Sequence, residues 1–204
     1  MIEAYGHQNW WPAETVFEVV VGAVLTQNTN WSNVCKAISN LKRSGLLSFD
    51  MMVSLPVDEL AQLIRSSGYY NVKAKRLSNL LQMIANEYDG ELDLLFQQDT
   101  ETARESLLSV RGIGPETADS ILLYGGKHSV FVVDAYTHRI FARHNLIEEE
   151  SDYHSIQQEF LEKLPQDVDM FNEYHALIVQ LGKDYCKKTK PLCASCPLEK
   201  MLVS

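Results

Sequence analysis

Four groups of residues in this 204-residue chain could do chemistry. The first is Asp134, which closes the apolar run 130–133 and precedes a helical pattern. A carboxylate there can cap a helix. Aimed into a site, it can stabilise developing positive charge and orient a water. The second is Gly112-Ile113-Gly114, between two amphipathic segments. Glycines one residue apart allow a turn too tight for side chains. Such a turn exposes backbone N–H groups at the start of the next helix, an anion site suited to a phosphate; a plain corner between helices uses the same residues. The third is Cys186, Cys193 and Cys196, spaced Cys-x6-Cys-x2-Cys, with Cys35 standing apart. Clustered thiols in a chain without a secretory pattern suggest a metal before a disulfide, and zinc wants four ligands. The fourth is aromatic: Trp10-Trp11-Pro12, Trp31, and Tyr69-Tyr70 ahead of Lys73, Lys75 and Arg76. Such rings fill cores, or they stack on flat ligands and favour cationic ones.

The elements that must position these residues read as helices throughout, so the expected fold class is all-α. Residues 14–27 form a long apolar run, Val-rich but long enough for a buried helix. Val34, Ile38 and Leu41 recur at helical spacing before a stop at Gly45. Ser54 and Pro56 open a helix ending near Gly68, and 72–88 carries Leu77, Leu80, Leu81 and Ile84 on one face. Thr102 and Glu105 suit a capping box for a helix to Val110. Pro115 starts the next in its favoured first turn, to about Tyr124. Further helices are expected over 134–144, 153–164 and 169–181.

The net charge is −9, which lowers the expectation of nucleic-acid binding without excluding it, since binding needs only local neutralisation. The acids gather away from the glycine turn, as at Glu148, Glu149, Glu150 and Asp152. No run of eighteen apolar residues suggests a membrane span. The N-terminal stretch lacks basic and apolar signal regions, so a cytoplasmic protein is expected.

The segment 107–125, LLSVRGIGPETADSILLYG, resembles the helix–hairpin–helix of endonuclease III-like DNA glycosylases. Downstream, FVVDAYTHR (131–139) is similar to their segment carrying the catalytic aspartate. The wider pattern WWP…GAVLTQNT…SGYYNVKAKRL…GIGPETAD…VVDAYT resembles the endonuclease III-related, 3-methyladenine DNA glycosylase III branch, from Trp10 to about Leu181.

The resemblance implies two helical lobes with the active-site cleft between them. One spans 15–130 and includes the hairpin; the other combines 1–14 with 131–204. It implies base excision repair: hydrolysis of the N-glycosidic bond of a damaged base, an N-alkylated purine, flipped out of double-stranded DNA by a monomeric enzyme. Asp134 is then catalytic, Trp10, Trp31 and Glu116 line the base pocket, and Gln27 fills the gap the base leaves. The turn of Gly112 and Gly114 grips the DNA backbone; by residue type alone Lys75 and Arg139, and with them Lys73 and Arg76, are candidates for phosphate contacts, or simply a solvated basic face. Glu116 stands where lyase-competent members carry a lysine; a carboxylate forms no Schiff base, so a monofunctional enzyme is expected. The cysteines match three of the four ligands of a [4Fe–4S] cluster, with Leu202 in the fourth place. Two rival readings stay open: a bifunctional endonuclease III-type enzyme for oxidised pyrimidines, and a non-catalytic DNA-binding module.

Overall fold

A computed structural model describes residues 1–201, so the expectation attached to Leu202 lies outside the described residues. The chain divides into two compact units: Ala13–His128, and Met1–Pro12 together with the chain from Ser129 onward. All regular structure among the described residues is helical.

The chain opens with a single turn, α1 (Ile2–Tyr5), which belongs to the split unit. The continuous unit is built around α2 (Val16–Leu25), where Val20, Val21, Val24 and Leu25 have no exposed surface. Valine is a modest helix former, yet burial on all sides outweighs propensity over this length. The helix starts cleanly because Thr15 Oγ1 accepts from Glu18 N while Glu18 Oε2 accepts from Glu14 N. Around α2 pack α3 (Trp31–Arg43) and, after α4 (Phe49–Val53) and α5 (Val57–Leu63), the long α6 (Tyr70–Glu87). α7 (Leu92–Phe96) leads to α8 (Thr100–Ser109) and α9 (Pro115–Ser120), the last continuing into a π-helical turn, Ile121–Gly125. In that turn Gly126 N reaches Ile121 O at 3.1 Å, one residue wider than an α-helical bond.

One local expectation changes. The cap of α8 is Asp99, whose carboxylate accepts from Thr102 N at 3.0 Å; Thr102 lies inside the helix, so Thr102 and Glu105 do not form the capping box. An Asp outcompetes a Thr because its charge also meets the helix dipole. The short α1, α4 and α7 have too few turns to show a period.

The split unit holds α10 (Ala135–Arg143), α11 (Tyr153–Lys163) and α12 (Val168–Asp184). Its core is aromatic. Phe131 stacks on Phe160 at 3.8 Å between centroids and meets Phe171 edge-on at 5.4 Å. The apolar run 130–133 is buried, yet lies in no helix or strand. Buried backbone must find hydrogen bonds somewhere. Here Gln157 Nε2 donates to Phe131 O at 2.6 Å, and Val133 N donates to the Tyr153 hydroxyl at 3.4 Å. Side chains of α11 thus hold the segment that delivers Asp134.

Candidate active site

Asp134 is the N-cap of α10. Its Oδ1 accepts from Tyr136 N at 3.0 Å, Thr137 N at 2.7 Å and Thr137 Oγ1 at 3.0 Å. The cap fixes the carboxylate's orientation, and Oδ2 stays outside this set. The side chain keeps 11% of its surface, so it is not sealed. From α12, His175 brings Nε2 to 3.8 Å of Oδ2. Burial pushes the His175 imidazole below the ordinary histidine range, against the opposing pull of Asp134, so the ring is neutral near pH 7.

The helices α10 and α12 approach closely because Gly182 has no side chain. A Cβ there would sit 2.2 Å from the Tyr136 ring. The Arg139 guanidinium lies over that ring at 4.9 Å from its centroid, and its Nε donates to Cys186 O at 2.7 Å. Arg139, expected at DNA, is therefore engaged in the protein, with the side chain half-buried.

Trp10 belongs to the same unit as Asp134. The arm that carries it is tied to α12 by Gln8 N, which donates to Glu173 Oε1 at 2.8 Å. Trp10 packs beside Trp11 at 5.0 Å, and Lys183 Nζ lies 6.0 Å from its ring. Trp31 begins α3 of the other unit and is half-buried.

The hairpin is formed by α8, the turn and α9. Gly112 has φ +100°, and a Cβ there would lie 2.4 Å from Arg76 Cγ; both facts require glycine. Gly114 differs from expectation. It is extended, at φ −102°, and a Cβ would meet nothing within 4 Å. Its relevance is as N-cap of α9, whose first turn receives no side-chain cap. Glu116 lies exposed in that turn. Asp119, from the same helix, is fully buried and takes a bidentate pair of bonds from Arg104 at 2.7 and 3.1 Å.

Gln27 reaches the hairpin within this unit. Its Nε2 donates to Thr117 Oγ1 at 2.9 Å and Gly112 O at 3.2 Å, and its Oε1 accepts from Arg76 Nη1 at 2.6 Å. Arg76 is thus committed to Gln27 and to the turn. Lys73 is corrected outright: it is 1% exposed and cannot meet a phosphate. Its Nζ donates to Leu25 O at 2.8 Å and Ser67 O at 2.6 Å. Lys75 is exposed on α6.

Cys186, Cys193 and Cys196 line one largely apolar cavity with Arg143, His144 and Leu181. Among the described residues, no set of three or more His, Cys, Asp or Glu side chains is placed to hold a metal ion. Three thiols at one cavity are one short of the four ligands a [4Fe–4S] cluster takes. Arg143 instead donates to Cys186 Sγ at 3.3 Å, Lys187 O at 2.8 Å and Lys188 O at 3.0 Å. Cys35 is exposed on α3.

Sequence reasoning did not single out His175, Asp119, Arg104 or Gln157. A histidine or glutamine within an amphipathic helix carries no local signal of its partner.

No helix among the described residues is long and apolar enough to cross a membrane. The family profile described as HhH-GPD superfamily base excision DNA repair protein matches residues 21–166. Along its full length the chain is 48% identical to a provisionally named DNA repair glycosylase of Methanocaldococcus jannaschii, of which it spans 93%. It is 34% identical to a solved H. pylori 3-methyladenine DNA glycosylase (MagIII) bound to 1,N6-ethenoadenine, with a TM-score of 0.74 over 85% of this chain and 87% of that one. It shares the fold of endonuclease III solved in a non-covalent DNA complex, at 23% identity and a TM-score of 0.80 over 93% and 84% of the two chains.

Proposed function

The chain belongs to the HhH-GPD superfamily of base excision DNA repair proteins, and from that premise we propose that it is a monofunctional, monomeric glycosylase for N-alkylated purines in duplex DNA. The observation that carries the reading is the capped carboxylate of Asp134, with Oδ1 held by three donors and Oδ2 left for chemistry. Breaking the N-glycosidic bond puts positive charge on the sugar, and a fixed carboxylate stabilises it. An alkylated purine already carries positive charge and leaves as a neutral base, so little acid catalysis is needed. In this reading the everted base stacks on Trp10 and Trp31, whose faces favour a cationic ring. Glu116 joins the base pocket. The exposed Lys75 and the uncapped first turn of α9, reached through Gly112 and Gly114, meet the backbone, and Gln27 enters the space the base vacates.

Water serves as nucleophile. Glu116, exposed in the first turn of α9, has no amine to offer a sugar aldehyde. The 34% identity to a 3-methyladenine glycosylase supports the alkylpurine substrate.

Release of 3-methyladenine from methylated duplex DNA tests the proposal. Wild type should release the base, and Asp134→Asn should be slower by about a hundredfold or more, the scale of losing one electrostatic stabiliser. A borohydride-trapped protein–DNA adduct would replace this reading with a lyase. Excision of oxidised pyrimidines in preference to alkylpurines would replace the substrate class.

A further inference from the structure

We infer that Asp134 Oδ2 and His175 Nε2 together hold the water that attacks the sugar, which makes His175 a second residue of the reaction. The inference rests on the glycosylase reading above and adds a residue that reading does not use.

The geometry is specific. At 3.8 Å the two atoms are too far apart for a direct hydrogen bond. They suit one water between them: at hydrogen-bond lengths to both, the two partners subtend roughly 85° at its oxygen. Oδ2 is the carboxylate oxygen the helix cap does not use. The positions of both partners are fixed by structure. Asp134 is locked by the first turn of α10. His175 is buried on α12, and α12 is held against α10 through the Gly182–Tyr136 contact.

The chemistry balances. A neutral imidazole accepts one O–H of the water and the carboxylate accepts the other. The oxygen lone pairs then point away from both. As the glycosidic C–N bond breaks, its electron pair leaves with the cationic base, which becomes neutral. The water oxygen bonds to the sugar carbon, and its surplus proton passes to Asp134 Oδ2. The products are a free base, an abasic sugar bearing a hydroxyl, and a protonated carboxyl that solvent later deprotonates. His175 gains and loses nothing; it fixes where the oxygen stands. Burial suits it to this role, because the uncharged ring retains an acceptor.

The test compares His175→Leu with His175→Gln in single-turnover excision of 3-methyladenine. Binding is measured in parallel on duplex containing a non-cleavable abasic analogue. Leucine fills the volume without a polar atom; glutamine restores one. His175→Leu should excise about ten- to a hundredfold more slowly, the scale of misplacing a reacting atom. Its affinity for the abasic analogue and its Tm should stay near wild type. His175→Gln should recover at least part of the rate. Equal rates for wild type and His175→Leu would overturn the inference, as would losses of affinity and Tm that match the loss of rate in both variants. If Asp134→Asn itself excises at the wild-type rate, the glycosylase reading fails first; if only the His175 variants do, the reading stands and the shared water does not.

Discussion

Arg76 Nη1 donates to Gln27 Oε1 at 2.6 Å, a bond that ties the segment just after α2 to α6. Gln27 also donates to Gly112 O and Thr117 Oγ1, so its amide is satisfied at both ends. For Gln27 to enter a duplex it must release all three. Gln27→Ala should speed amide hydrogen exchange across 110–117, and lower stability by about 1 kcal/mol, the usual worth of part-exposed hydrogen bonds. Unchanged exchange in the hairpin would mean that the tie does not order it.

Lys73 predicts a stability effect with a pH signature. Lys73→Met orphans two buried carbonyls and should cost about 2 kcal/mol, a Tm loss of roughly 4–8 °C for a chain of this size. Burial first, and the charge of Arg76 second, lower the Lys73 pKa from 10.5 to about 8. A folded pKa below the unfolded one means the folded state gives up its proton first. Below pH 8 both states are charged and the burial cost is fully present. Between about 8 and 10.5 that cost fades, while the neutral amine still donates to both carbonyls. The stability gap between wild type and Lys73→Met should therefore widen from pH 7 to pH 9.5 in denaturant titrations. A gap that narrows would contradict the lowered value.

Gly182→Ala should damage catalysis more than folding. The added carbon would press on the Tyr136 ring from 2.2 Å, and Tyr136 N is one of the donors that hold Asp134 Oδ1. Small misplacements at a reacting centre are costly, so the excision rate should fall by about ten- to a hundredfold. Affinity for lesion-containing duplex should change little. Equal losses in both would place the damage in the fold.

Asp119→Ala should be the most destabilising of these changes, by about 3 kcal/mol, because it strips a partner from a buried ion pair. The pair joins α8 to α9 across the hairpin. Its loss should appear as a lower Tm and as weaker, less salt-dependent DNA binding.

The helices and the glycine turn were legible because each rests on local rules. The apolar period of α6, Pro115 in the first turn of α9 and the positive φ of Gly112 are written within a few residues. The position of Asp134 was legible for the same reason: an apolar run, then a capping residue. The partners were not. Lys73 reads as a surface cation until Leu25 and Ser67 bring carbonyls to it from 48 and 6 residues away. His175 meets Asp134 only because α12 folds back on α10. Gly114 read as a second obligatory glycine, though its backbone is extended; spacing suggests a turn but does not assign dihedrals. The cysteine spacing brings three thiols to one cavity, and a fourth cluster ligand has no signal of its own in the described sequence.

The grip of Arg139 and Arg143 on the C-terminal loop falls mostly on main-chain oxygens: Cys186, Lys187 and Lys188 each offer a carbonyl, and only one bond goes to sulfur. Every amino acid brings the same carbonyl. The loop can thus exchange its side chains, thiols included, while its path stays anchored to the helix that begins at Asp134. Novelty at that end of the molecule comes cheaply, and substitutions there should be tolerated that would be ruinous at Gly182.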